Sequence, residues 1–173
     1  MTIFITLVAI LQSFAVALGV GSSTLAIINF FAAIADGTID DTERRMMGIV
    51  YVVLRVAMVA ILITSILLIS LEFSSVGLEN ISAFTIGQLL ALFVLFTNAM
   101  LMTAHLVPST FGPAIQAGSW YTLGTLAALK TVGVTDFAFG HFLMAYVTWI
   151  ILAIAIVNGI MAVIKERRKK LME

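Results

Sequence analysis

Four carboxylates fall within eight residues, at Asp36, Asp40, Asp41 and Glu43, just ahead of Arg44 and Arg45. Hard oxygen ligands at that density are what a divalent cation binds. With Glu43 as the closing ligand of a calcium loop, Asp36, Gly37, Ile39 and Asp40 fill their expected places, but Ala32 and Ile34 stand where further oxygens are required. Asp36, Asp40 and Glu43 are therefore weak metal candidates. A reading without an ion explains more: Asp40 caps a helix, Glu43 three residues on completes a capping box, and Asp36-Gly37 supplies the preceding turn.

The other groups able to do chemistry stand in apolar surroundings. Arg55 lies about ten residues into a hydrophobic run, where a guanidinium costs at least about 2.5–3.5 kcal/mol. Expected partners are carbonyls near "GVGSS", Gln12, Asn98 or a passing anion. Ala15, Gly19 and Ser23 recur every four residues, the spacing that lets helices approach closely, and a break at Gly19–Ser23 is the alternative. Asn98, Met102 and His105 share a face, as do His141, Ala145 and Thr148, while Gln116, Ser119, Thr122 and Thr125 form a polar stripe. Arg55, Ser22, Ser23, Asn98, His105, Gln116, Thr122 and His141 are accordingly the candidates for lining a transport path.

Two histidines in hydrophobic regions also raise haem b ligation through His105 and His141. The parity of the spans argues against it, and no cofactor is expected. The chain has no cysteine, and no HExxH, phosphate loop, intramembrane acidic pair or arranged serine–histidine set, so no enzyme is expected.

The elements that must hold these residues are membrane helices. The chain of 173 residues is 62% hydrophobic and 10% charged with a mean hydropathy of +1.17, far from the roughly one-quarter charged residues of a soluble domain. An all-α, multi-pass integral membrane bundle is expected, as a single domain over 1–173. Spans fall at about 3–35, 46–71, 84–106, 113–131 and 139–164, with a basic tail at 165–173. The N-terminal run lacks a basic leader and continues past Ala15-Val16-Ala17, so it reads as a retained helix. The first span exceeds a bilayer core, and Gly19, Gly21 and Ser22–Thr24 are the natural place for a break or kink.

The weak segment 113–131 is decided by charge. "KERRKK" and Arg44-Arg45 ask for the cytoplasmic side, while the connection with Glu72 and Glu79 has no basic residue. Both conditions hold only if the weak segment crosses. That gives five helices, an outside N-terminus and a cytoplasmic C-terminus, with Pro113 in the first turn of the fourth helix and Lys130 snorkelling at its outer end. The expected function is an oligomeric channel or transporter subunit moving an ion or small solute. The alternatives are a non-catalytic membrane subunit of a larger complex and a haem- or metal-binding redox subunit. Expected partners are the lipid bilayer, further copies or other membrane subunits, and the solute, with no nucleic acid.

Overall fold

The computed structural model describes residues 2–36, 40–108 and 111–172. Five helices make up nearly all of it: α1 (Thr2–Asp36), α2 (Asp41–Val76), α3 (Ala83–Thr103), α4 (Gly112–Thr131) and α5 (Phe139–Met172). Of these, α1, α2, α3 and α5 are long and apolar enough to cross a membrane. Successive helices run antiparallel. Gln12 of α1 meets Ser65 of α2, Asn98 of α3 meets Gln116 of α4, and Lys130 late in α4 lies over Phe84 early in α3. The start of α1 and the α2–α3 and α4–α5 connections thus share one end of the bundle, here the upper end. The basic end of α5 and the other two connections share the lower end.

Local chemistry explains where each helix starts and stops. Asp40 accepts the Glu43 backbone N–H at 2.6 Å and its own N–H donates to Glu43 Oε2 at 3.1 Å, so the expected capping box is present. Those carboxylates are spent on the helix start. The Asp36 side chain and the turn at Gly37 lie outside the described residues. Ser82 caps α3 by accepting from Thr85 N, and Pro113 sits in the first turn of α4, where its missing N–H has no cost. Both α3 and α4 end in a left-handed residue, His105 at φ 57° and Gly133 at φ 76°. In each, the next residue donates back to the final turn, Leu106 to Leu101 O and Val134 to Leu129 O.

Two expectations are corrected here. The first helix is not broken: α1 is one continuous helix of 35 residues. Ser22 and Thr24 return their hydroxyls to carbonyls one turn back, at Leu18 and Val20, and so stay within the helix. The basic run at the end of the chain is helical, as α5 continues through it and pairs Lys170 with Glu166 at 2.9 Å. His105 does not share the face of Asn98 and Met102, since the helix ends at Thr103 and His105 turns away as its terminator.

The segment of weakest hydropathy is the centre of the molecule. Ten residues of the twenty in α4 are buried, among them Gln116, Ser119 and Thr122, and α4 packs on α1, α3 and α5. Gln116, Ser119 and Thr122 of its polar stripe face the interior, and the exposed Thr125 returns its hydroxyl to Tyr121 O at 2.9 Å. Trp120, fully buried, projects from α4 against α1, and Gly19 is the notch that receives it: a Cβ there would overlap the six-membered ring. Ala15, Val16, Ala57, Ile61, Ala91 and Leu95 close around the indole. The small-residue repeat of α1 therefore serves packing.

Gly19→Ala is expected to destabilise the bundle by about 1–3 kcal/mol through overpacking, and Trp120→Ala by about 3–5 kcal/mol through the cavity it leaves. Because the two effects share one site, Gly19→Ala should cost little once Trp120 is Ala. Thermal unfolding of the four proteins in detergent measures this coupling, and additive effects would show that the ring and notch act independently.

Candidate functional site

Polar side chains in the bundle gather in two places, one toward each end. The upper recess, of about 370 Å³, is lined by Gln12 of α1, Glu72 and Ser75 of α2, Phe84, Thr85 and Gln88 of α3, and Lys130 of α4, with apolar residues between them. Behind the two amides is Ser65, 1% exposed, whose oxygen accepts from Gln12 Nε2 at 3.0 Å and Gln88 Nε2 at 3.3 Å. One hydroxyl thus ties α1, α2 and α3 together. Nearer the upper end, Glu72 accepts from Thr85 at 2.7 Å and from Ser82 at 3.2 Å. Both donors are neutral hydroxyls, so the carboxylate is held in place without its charge being neutralised.

The lower cavity is small, about 50 Å³, and touches Ser23, Tyr51, Leu54, Met102, Pro113 and Gln116. Beside it Asn98 donates to Gln116 Oε1 and to the carbonyl of Gly112, both at 2.9 Å. That carbonyl belongs to the first residue of α4, so Asn98 joins the two ends of the α3–α4 hairpin.

Between the two lies a buried layer, in which Ser119 and Tyr146 share a hydrogen bond at 2.9 Å. Ile61 falls between Leu54 and Ser65 on α2, Leu95 between Gln88 and Asn98 on α3, and Trp120 between Gln116 and Lys130 on α4. All three are fully buried. The Trp120 Nε1–H is buried there with no acceptor among the described residues, whereas Trp149 donates to Gly118 O at 3.0 Å.

Of the residues expected to line a path, Ser23, Asn98 and Gln116 come together at the lower cavity. Ser22 is buried but bonds its own helix. Thr122 and His141 meet across a separate, mostly apolar groove between α4 and α5, whose other walls include Tyr121, Tyr146 and Trp149. Arg55 lines none of these cavities. It is exposed on the outer side of α2, and among the described residues it has no hydrogen-bond or ion-pair partner. Its neighbour Leu54 shares a cavity with Met102 and Pro113, which lie within a turn of the ends of α3 and α4. Arg55 therefore stands near the lower boundary of the short helices, where a guanidinium reaches polar surroundings, and the expected compensation by Gln12 or Asn98 does not occur.

His105 and His141 stand at opposite ends of the bundle, and among the described residues no group of three His, Asp or Glu side chains could hold a metal ion. The upper recess was not foreseen as a site. Glu72 reads in sequence as a loop acid and Lys130 as a snorkelling cation, and only the tertiary arrangement puts them around one space. A faint signal existed: Gln12, Ser65 and Gln88 each interrupt an apolar face, and a polar residue inside a span needs a partner.

Ser65→Ala removes the acceptor shared by two amides and is expected to lower stability by about 1–2 kcal/mol, more than a single interhelical hydrogen bond between membrane helices is usually worth. Unfolding in detergent by a graded denaturant measures it; a loss below a few tenths would show that the two amides find other acceptors. No protein-family model matches the chain, and neither a curated protein nor a solved structure shows significant similarity to it.

Proposed function

We propose that this chain is a membrane carrier subunit that moves a small polar solute. The observation that carries the reading is a charged, amide-lined recess at the upper end, separated by the fully buried Ile61, Leu95 and Trp120 from a small, mostly apolar cavity below that Ser23 and Gln116 touch. A continuous pore would need polar lining throughout. A carrier needs binding groups open to one side and a barrier that separates them from the other. The recess has the binding groups and the layer of Ile61, Leu95 and Trp120 is the barrier.

The charge distribution supports an orientation. Arg44, Arg45 and the basic run from Lys165 to Lys170 gather at the lower end, whereas the upper end has Glu72, Glu79 and Asp136 with Lys130 as its one basic residue among those described. By the bias of positive charge toward the cytoplasm, the recess faces outside, with five crossings and the C-terminus inside.

One observation favours a second reading, a non-catalytic subunit that binds other membrane proteins. Arg55 is exposed on α2 beside exposed Val52, Val56 and Val59, and a second copy or a partner subunit would cover that face.

Reconstituted in liposomes, the protein is expected to take up its solute saturably and without unitary current steps. Glu72→Gln should lower uptake at least tenfold, while Arg55→Leu should leave uptake per assembled protein unchanged because Arg55 lines neither cavity. If no ion or solute in a broad panel moves, the carrier reading fails, and loss of assembly in Arg55→Leu would then favour the subunit reading.

A further inference from the structure

Glu72 and Lys130 are opposite charges on the walls of one recess, yet among the described residues neither has an ion-pair partner. Glu72 is bonded only by the hydroxyls of Ser82 and Thr85, and Lys130 lies over the Phe84 ring, its Nζ 5.9 Å from the centroid. Opposite charges facing one small space would gain by meeting, all the more where water is partly excluded. Here Glu72 of α2 is held by the hydroxyls of Ser82 and Thr85 and Lys130 of α4 lies over Phe84, all at the start of α3, and the two charges do not engage each other.

The neutral groups add direction. Gln12 and Gln88 both spend N–H donors on Ser65, which leaves the carbonyl ends of both amides as acceptors. Together with Glu72 they make the α1–α2–α3 side of the recess rich in acceptors. The α4 side offers the one ammonium. A group with several N–H donors and a positive charge suits the first side, and a compact anion suits the second. A quaternary ammonium has no N–H to give these carbonyls and is a poorer match.

We infer that the upper recess binds a small zwitterion carrying a primary ammonium and a separate anionic group, the ammonium on Glu72 and the Gln12 and Gln88 carbonyls, the anion on Lys130. The inference rests on the carrier reading for its transport role but not for binding. The same chemistry occurs in free ω-amino acids and in the ethanolamine phosphate headgroup of a lipid.

The test is binding to the purified full chain, measured by isothermal titration calorimetry in nanodiscs made only of phosphatidylglycerol. The probes are glycine, β-alanine, γ-aminobutyrate and 5-aminovalerate, a series that varies the separation of the charges. Controls are propylamine, propionate, the trimethylated form of the best ω-amino acid, and a short-chain phosphatidylethanolamine. One separation is expected to bind best, with at least tenfold weaker binding for the singly charged and trimethylated relatives. Glu72→Gln and Lys130→Met should each weaken it at least tenfold while melting within a few degrees of wild type, and Lys130→Arg should retain most of it. Binding of phosphatidylethanolamine alone, with the same sensitivity to both substitutions, supports the site and makes a headgroup its occupant. Propylamine binding as well as any zwitterion, or Lys130→Met having no effect on binding, overturns the inference. So does an absence of binding by every zwitterion, whether or not another solute is transported. Zwitterion binding without uptake in liposomes upholds the inference and removes the carrier reading.

Discussion

A helix bearing Gln116, Ser119 and Thr122 along one side has a face that hydrocarbon would not accept, and each of these groups must find a partner inside the protein. That constraint organises the bundle. α4 is wrapped by α1, α3 and α5; Gln116 accepts from Asn98, Ser119 shares a hydrogen bond with Tyr146, and Thr122 returns its hydroxyl to Gly118 O. α1 can come close enough to complete the enclosure because Gly19 leaves room for Trp120. With α4 enclosed, α2 is left to pack mainly on α1, and its contact with α3 rests on polar side chains at the upper end.

The looseness of α2 against α3 is what makes a recess there. Where the helices touch, they do so through Ser65 with Gln88 and through Glu72 with Ser82 and Thr85. Hydrogen bonds between membrane helices are individually modest. Tight apolar packing around Trp120 and looser polar contact above it therefore divide the molecule into a rigid centre and a more compliant upper rim. A binding site belongs in the second kind of region, supported from below by the first.

Much of this is written in local sequence. The apolar runs mark four helices directly, and the charge bias supplies the fifth, which the structure contains as a helix antiparallel to its neighbours. The capping box at Asp40 and Glu43 is legible because its geometry involves residues three apart. The polar stripe on α4 likewise follows from spacing. What local sequence does not reveal is which neighbour a residue meets. Gly19 reads as a weak point until Trp120 is known to press on it. Arg55 reads as deep within a span because α2, at 36 residues, is longer than the short helices it crosses, and its depth depends on where α3 and α4 end. Glu72 and Lys130 are far apart in the chain, and their common recess is a product of packing alone.

The unequal lengths of the helices have a consequence for the surrounding lipid. At 1.5 Å per residue, α3 and α4 span about 30 Å, near the thickness of a bilayer core, whereas α1, α2 and α5 reach about 51–54 Å. The surplus length of α2 and α5 is charged at the lower end, where α2 opens with Asp41–Arg45 and carries exposed Arg55 and α5 closes on the run Lys165–Lys170. In a bilayer matched to α3, those turns would stand beyond the hydrocarbon as a collar of charged helix rather than widen the apolar belt.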